Sequence, residues 1–258
     1  MKSLLLEDGK LARDRLISVH LNGEVEQMRE LHSLLYDDSK NRKYKGYGPS
    51  DGFELTNDWF HVAAIRDGSW LDKIPQEKPY KVLEIGSYEG ASAINLIMNN
   101  DWTDDMQLWC IDTWEGSTEQ QTSGHKFDLI EARFDANTKQ ALMTAKRKAT
   151  LQKRKGFSAD ILPKLLAEGH KTTFDFIYVD GSHTSSDVLL DAVLSFQLLK
   201  EHGLILFDDY LWAESLSQAD NPIDYPRMGV DAFTTAFFGK IKIEKSKLYQ
   251  LWIRKTKN

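Results

Sequence analysis

Three aspartates stand where two predicted strands end. Asp180 follows the apolar run at 174–179, and Asp208 and Asp209 stand at the end of the run at 203–208. The carboxyl ends of neighbouring parallel strands meet at one edge of a sheet, so we expect these three carboxylates to converge. Such a group repels itself unless it binds a cation or protons. Oxygen ligands without Cys or His favour Mg²⁺ or a similar divalent ion, and the pattern predicts a metal site. The alternative is that Asp180 caps a helix and the other two begin a polar loop.

His183 lies three residues after Asp180 and is a candidate general base. The imidazole of a free histidine titrates near neutral pH, which suits the removal of a proton from a substrate group. A local capping or hydrogen-bonding function is the alternative.

A glycine-containing segment follows the first predicted strand, at 82–92. The dinucleotide fingerprint needs glycines at its first, third and sixth positions, but here these are Gly86, Tyr88 and Ala91. The segment instead carries Glu84 two residues before the turn, followed by Gly86 and Gly90. An acid at that position repels a pyrophosphate and suits a cationic ligand such as S-adenosylmethionine. A plain strand-to-helix turn is the alternative.

The second predicted strand, 107–111, ends in Asp112, Thr113 and Trp114. An acid at the tip of this strand can accept hydrogen bonds from both hydroxyls of a ribose, although acids are also common at solvated strand ends. Trp114 either shields an adenine ring or belongs to the core. Ser158, after the third strand, reads by itself as a helix N-cap.

The segment Glu84-Ile85-Gly86-Ser87-Tyr88-Glu89-Gly90-Ala91-Ser92-Ala93 resembles the first motif of class I methyltransferases. It is most similar to the catechol O-methyltransferase type and to the macrocin-type sugar O-methyltransferases. The resemblance covers about residues 80–254 and leaves out the first 75.

This resemblance implies S-adenosylmethionine as the methyl donor and Mg²⁺ as the metal. The implied cofactor contacts are Glu84, Gly86, Ser87, Tyr88, Gly90, Asp112, Thr113, Trp114, Ser158 and Asp180. The implied metal ligands are Asp180, Asp208 and Asp209, and the implied catalytic residues are Asp180 and His183, the latter where catechol enzymes have a lysine. The tryptophan that flanks the catechol site is missing after Ser182, so a sugar or another aliphatic hydroxyl is the expected acceptor, methylated by direct displacement.

Short apolar runs that alternate with amphipathic ones predict the elements that position these residues. We predict strands at 81–85, 107–111, 149–153, 174–179 and 203–208, with helices at about 89–100, 126–146, 157–168 and 184–201. Two further runs, Ile241 to Glu244 and Leu248 to Arg254, predict an antiparallel hairpin across about three polar residues. The expected fold is α/β: a Rossmann-like, seven-stranded, mostly parallel sheet with helices on both faces.

Composition limits the remaining function classes. The 258 residues contain 41% hydrophobic and 28% charged residues, a net charge of −6 and one cysteine, Cys110. These values exclude wholesale disorder and an internal disulfide framework, and argue against a dedicated nucleic-acid binder. With no apolar run of about 20 residues, we expect no membrane span and a cytoplasmic location. The seven basic residues between Lys139 and Lys155 predict a solvated face, or a site for a phosphorylated substrate.

We expect two regions along the chain. Residues 1–75 are predicted to form a helical extension, with helices at Leu11 to His20 and Glu24 to Leu35, and residues 76–258 the methyltransferase domain. The extension is expected to pack against the main sheet, to form a lid, or to form a homo-oligomer surface. Two other functions stay open: a nicotinamide-dependent oxidoreductase, which the failed fingerprint disfavours, and a non-catalytic nucleoside-binding protein.

Overall fold

Seven strands form one sheet, and most of them are short runs rich in aliphatic and aromatic residues. The computed structural model describes residues 46–57, 60, 73–116, 129–212, 225–245 and 249–258, all within one unit that spans Asp38–Asn258. The strands are β1 (Lys81–Ile85), β2 (Met106–Asp112), β3 (Ala149–Lys155), β4 (Phe174–Val179), β5 (Leu199–Phe207), β6 (Ile241–Ile243) and β7 (Leu251–Lys255). Their order is β3-β2-β1-β4-β5-β7-β6. Strands β1 to β5 run parallel to one another, and β7 runs antiparallel to both β5 and β6.

Within the described ranges, six helices connect or flank these strands. They are α1 (Ile74–Glu77), α2 (Ala91–Met98), α3 (Ile130–Thr144), α4 (Ser158–Ala167), α5 (Ser185–Leu198) and α6 (Pro226–Ala236). Alternate strand residues point to opposite faces, so a strand that is covered on both faces is buried throughout, as β1 is. One face packs on α2 and α3 through residues such as Ile94 and Phe134. The other face packs on α4, α5 and α6 through residues such as Leu162, Phe196 and Phe233. The predicted α/β architecture with helices on both faces is confirmed.

Three local predictions differ from the structure. Leu199 to Glu201, predicted as helix, begin β5 because Leu199 pairs with Phe174. Helix α6 was not predicted, and it crosses α5 closely where Gly229 lies against the backbone of Ser185. The reversed strands at the end are confirmed, but β7 begins at Leu251 rather than 248, and the connection is longer than three residues. The predicted helices before residue 36 lie outside the described residues, and the boundary at 75/76 stays a prediction.

Candidate active site

The carboxyl edge of the parallel strands gathers most of the predicted site. Strand order reverses between β1 and β4, which is where open α/β sheets bind their ligands. Backbone hydrogen bonds continue past the strand ends: Asp180 N donates to Ile85 O at 2.8 Å, and Asp208 N to Val179 O at 3.0 Å. The ends of β1, β4 and β5 are therefore fixed against one another.

Gly86 makes this close approach possible. Its φ of +86° lies in the left-handed region, and a Cβ atom there would overlap the backbone carbonyl of Asp180. Only glycine satisfies both conditions without strain. The loop from Gly86 to Gly90 can thus lie directly on the end of β4, beside the predicted metal ligand.

Glu84 lies inside the sheet beneath this loop. The Glu84 side chain is fully buried. It accepts a hydrogen bond from the Ser87 hydroxyl at 2.6 Å and another from the Ser92 hydroxyl. Burial raises the pKa of the Glu84 carboxyl, which the serine hydroxyls partly oppose. Glu84 therefore ties the loop to the first turn of α2. A direct contact between Glu84 and a cofactor stays a prediction.

Asp112 orders the outer side of the same loop. Its Oδ2 accepts the backbone N–H groups of Ser87 and Tyr88, both at 2.8 Å, and its Oδ1 accepts that of Trp114 at 2.6 Å. A carboxylate offers about four acceptor positions, so the predicted ribose contact is compatible with these bonds.

Three other predicted cofactor contacts lie around this loop. Trp114 is only 3% exposed, packs on Phe134, and donates from Nε1 to Tyr88 O at 2.9 Å, which favours the core alternative. The Thr113 hydroxyl accepts the N–H of Glu115. Ser158 is the first residue of α4, while Phe157 occupies the N-cap position, so the N-cap interpretation of Ser158 is wrong by one residue.

The acidic residues lie together, with a tyrosine between two of them. The Tyr178 hydroxyl contacts Asp180 Oδ2 at 2.9 Å and also contacts Asp208. Gln250 donates from Nε2 to both oxygens of Asp208 at 3.1 Å. Burial, with the neighbouring carboxylates, raises the pKa of Asp208 to about 7 and that of Asp180 well above its ordinary value. Tyr178 has one proton and cannot donate it to Asp180 and Asp208 at the same time, and a proton or a cation bound between the two carboxylates would relieve their repulsion.

The third aspartate faces the histidine. His183 Nε2 lies 3.1 Å from Asp209 Oδ2, and both side chains are 21% exposed. The ring of Trp212 lies against the imidazole, with 4.1 Å between centroids. A small pocket opens here, lined by residues that include Asp180, His183, Asp208 and Asp209. The arrangement combines a candidate base, its carboxylate partner and a negatively charged pocket.

The acidic cluster is not arranged as a preformed metal site within the described residues. Among the residues that the structure describes, no group of three or more His, Cys, Asp or Glu side chains is arranged to hold a metal ion. Asp180 and Asp208 approach each other through Tyr178, whereas Asp209 turns to His183. The predicted trio is brought to one place, and its use as metal ligands stays a prediction.

Sequence reasoning missed three residues of this cluster: Tyr178, Tyr249 and Gln250. Tyr178 stands two positions before Asp180 on β4, so strand alternation puts both on the same side and could have identified it. Tyr249, whose pKa is raised by burial and by a hydrogen-bonded Asp209, and Gln250 arrive with the antiparallel β7. No local pattern in the sequence points to that arrival.

Basic side chains of the run between Lys139 and Lys155 form ion pairs with acidic side chains. Lys153 bonds Glu131 at 2.8 Å and Asp135 at 2.7 Å, and Arg154 bonds Glu168 at 2.8 Å. These contacts favour the solvated-face interpretation of this run.

A family model described as a methyltransferase domain matches residues 83–210, about half of the chain. This segment runs from β1 through the acidic ends of β4 and β5. The chain carries a methyltransferase domain. The predicted class I methyltransferase is thereby confirmed, and the match covers the glycine loop together with Asp112, Asp180, His183, Asp208 and Asp209.

Solved structures share the fold of this methyltransferase domain at low sequence identity. An O-methyltransferase of tomaymycin synthesis from Streptomyces achromogenes, in complex with S-adenosylmethionine, is 15% identical, with 100% of each chain covered and a TM-score of 0.50. A Klebsiella pneumoniae protein assigned as an O-methyltransferase is 14% identical, covers 95% of this chain and 96% of its own, and has a TM-score of 0.52. No curated protein matches the sequence. None of the described helices has the length and apolar character that a membrane crossing requires.

Proposed function

We propose that this methyltransferase uses S-adenosylmethionine to methylate a hydroxyl group of a small molecule, a sugar or a glycoside, with the assistance of Mg²⁺. The observation that carries the proposal is the cluster of Asp180, Asp208, Asp209 and His183 beside the glycine loop. A histidine bonded to a carboxylate is suited to deprotonate a hydroxyl. The names of the two structural neighbours agree with transfer to oxygen.

The residues fit S-adenosylmethionine. When bound, it would supply a methyl group on a positively charged sulfur. An oxygen nucleophile would attack the methyl carbon in line with the sulfur, which leaves. Gly86 has no side chain, so the loop backbone stays accessible, and the loop lies against the backbone carbonyl of Asp180. Asp112 would bind the ribose hydroxyls, with Thr113 and Trp114 beside it, and Ser158 would hold the adenine edge. The expected contribution of these residues is to position the donor and exclude water.

His183 is the base in this proposal. Asp209 holds Nε2 through the 3.1 Å contact, and the Trp212 ring packs on one face of the imidazole. These contacts fix the orientation of the imidazole ring, so the ring is already placed to take a proton from the substrate hydroxyl. The neighbouring carboxylate also stabilises the protonated imidazole that results.

The donor set fits a hard divalent cation. Asp180, Asp208 and Asp209 supply only oxygen atoms, and Asp180 and Asp208 both contact the single hydroxyl of Tyr178. Mg²⁺ held by these carboxylates would lower the pKa of a bound hydroxyl. Gln250 and Tyr178 would keep the carboxylates in place.

The test is calorimetric titration with S-adenosylmethionine, with NAD as the control, each with and without Mg²⁺. Micromolar binding of S-adenosylmethionine alone, about −8 kcal/mol, is expected and would start an acceptor screen with sugars and phenols. The absence of binding in both metal conditions would contradict the proposal.

The role of the metal is tested separately. Asp208→Asn is expected to abolish turnover while the affinity for S-adenosylmethionine stays within about threefold. Full activity of the wild type in excess chelator would refute the metal and leave the methyltransferase intact.

A further inference from the structure

An irregular segment, residues 46–57, runs along α2 and α3; we call it the strap. Apart from one turn at Pro49–Asp51, it has no regular secondary structure. Its backbone groups therefore need side-chain partners wherever they are buried. Asn95 on α2, fully buried, accepts the N–H of Tyr47 at 2.8 Å and donates to its carbonyl at 3.1 Å.

Asn137 on α3 repeats this pattern further along the strap. It is 2% exposed, accepts the N–H of Glu54 at 2.8 Å, and donates to the Glu54 carbonyl at 2.9 Å. The same amide nitrogen also donates to the carbonyl of Glu89 at 2.9 Å. Two buried asparagines thus fix the path of the strap, and the second one also touches the glycine loop.

The strap meets the glycine loop at Glu89. This carboxylate is 1% exposed and accepts the backbone N–H of Thr56 at 2.6 Å and the Thr56 hydroxyl. Arg133 of α3 donates to Glu89 at 2.7 Å and to the Thr56 hydroxyl at 2.8 Å. A buried carboxylate that is paired with arginine and fully hydrogen-bonded gives strong, directional contacts. The three residues Thr56, Glu89 and Arg133 form what we call the latch.

Glu89, one member of the latch, belongs to the loop that faces the proposed cofactor. Glu89 directly follows Ser87 and Tyr88, whose N–H groups bind Asp112. Asn57, next to Thr56, donates to the Tyr88 hydroxyl at 3.4 Å. The loop between Gly86 and Gly90 therefore binds Asp112 on one side and the strap on the other, so displacement of the strap would change the loop.

We propose that Glu89 is a positioning residue that attaches the strap to the glycine loop. Through this attachment, the position of the strap and the binding of S-adenosylmethionine depend on each other. The inference rests on the proposed function, since it concerns the same ligand. Coupling between two equilibria is reciprocal. If the attached strap favours binding of the cofactor, the bound cofactor must stabilise the attached strap by the same free energy.

Glu89→Gln tests the latch. The amide keeps the shape of the side chain but directs an NH₂ group at N–H and O–H donors. We expect the dissociation constant for S-adenosylmethionine to rise about tenfold by calorimetry. Hydrogen exchange of residues 47–57 is expected to slow several-fold when S-adenosylmethionine binds the wild type, and to lose this response in the variant. A purely structural function of Glu89 would not remove a ligand-dependent response.

Two further variants keep the experiment decisive. Glu131→Gln, on the same helix as Arg133, removes partly exposed contacts with Lys153 and Lys155, and should leave affinity and exchange unchanged. Thr56→Val removes one hydroxyl and keeps the Glu89–Arg133 pair, so it should fold even where Glu89→Gln does not. Its expected effect is a rise of about threefold in the dissociation constant.

Equal affinity and equal exchange response in the wild type and Thr56→Val would overturn the latch, as would a strap whose exchange ignores the cofactor in the wild type. A wild type that binds no S-adenosylmethionine would overturn the proposed function, and the latch with it. A wild type that binds while the latch variants behave identically would overturn the latch alone.

Discussion

Asp191 on α5 is a buried carboxylate that the proposed chemistry does not use. It is 1% exposed, and no group in the described part of the chain hydrogen-bonds to its Oδ1. Burial, with the charge of Asp187, raises its pKa to about 7, against the opposing hydrogen bond of Ser158. Glu84, in contrast, has two serine donors, and Glu89 has a full set. Buried acids in this protein thus differ in how well the fold compensates their charge.

Asp191→Asn should flatten the pH dependence of stability. The raised pKa means that the folded state keeps a proton which the unfolded chain has released. The stability from this proton is complete below about pH 4 and is lost as the pH rises through about 7. Between about pH 5.5 and 7 the wild type should lose about 2 kcal/mol that the variant keeps. Urea unfolding at both pH values measures the free energy of unfolding of each protein. An equal change in this free energy between the two pH values for the wild type and the variant would contradict the prediction.

His183→Gln should lower kcat by about 10²–10⁴-fold, because it removes the proposed base. The affinity for S-adenosylmethionine should stay within twofold. His170→Gln is the matched control, since His170 contacts Lys81 at the amino edge of the sheet, at 3.0 Å. Steady-state kinetics with an identified acceptor provide the measurement. Equal losses in both variants would point to a general effect of losing a histidine.

The elements differ in how far the sequence predicts them. β1 and β4 match their predicted bounds, because each is a short apolar run set off by Pro79 or Gly86, or by Asp180 and Gly181. Asp180 and Asp208 directly follow the apolar runs of β4 and β5, so the sequence alone predicts that they lie close together. The start of β5 and all of α6 depend on tertiary contacts, at Phe174 and at Ser185, that no local window contains. Gln250 was missed for the same reason.

Gly86→Ala should be far more damaging than Gly169→Ala. Both glycines have a similar φ, +86° and +90°, so alanine costs about 1 kcal/mol of backbone strain at either position. A Cβ at Gly169 meets nothing within 4 Å, whereas at Gly86 it overlaps the Asp180 carbonyl. We expect Gly86→Ala to lose S-adenosylmethionine binding and several kcal/mol of stability. Calorimetry and thermal melts measure both, and similar behaviour of the two variants would refute the close packing.

At the scale of the whole molecule, the antiparallel end of the sheet completes the site. β7 lies between β5 and β6, and Gln250 and Tyr249 immediately before it reach the acids at the ends of β4 and β5. Residues more than 40 positions apart thus form one cluster across three strands. Sequence patterns locate the strands but not this order of pairing.

Truncation after Lys245 should abolish cooperative unfolding. It removes the buried side chains of Leu251, Trp252 and Ile253, each worth about 1.5–3 kcal/mol, which together approach the stability of an ordinary domain. It also leaves β6 without its partner. Removal of Lys257 and Asn258 alone, both exposed, is the control and should leave the melt unchanged. A sharp circular-dichroism melt of the longer truncation would contradict the expectation.

The asparagines that hold the strap recognise peptide groups and not side chains. Asn95 and Asn137 each bind the N–H and the carbonyl of one strap residue, Tyr47 and Glu54. The hydrogen bonds of such an anchor do not depend on which side chain the strap residue carries, with proline as the exception because it has no N–H. The exposed side chain of Glu54 can therefore change, through evolution or by design, while Asn137 keeps the strap on its course at that position.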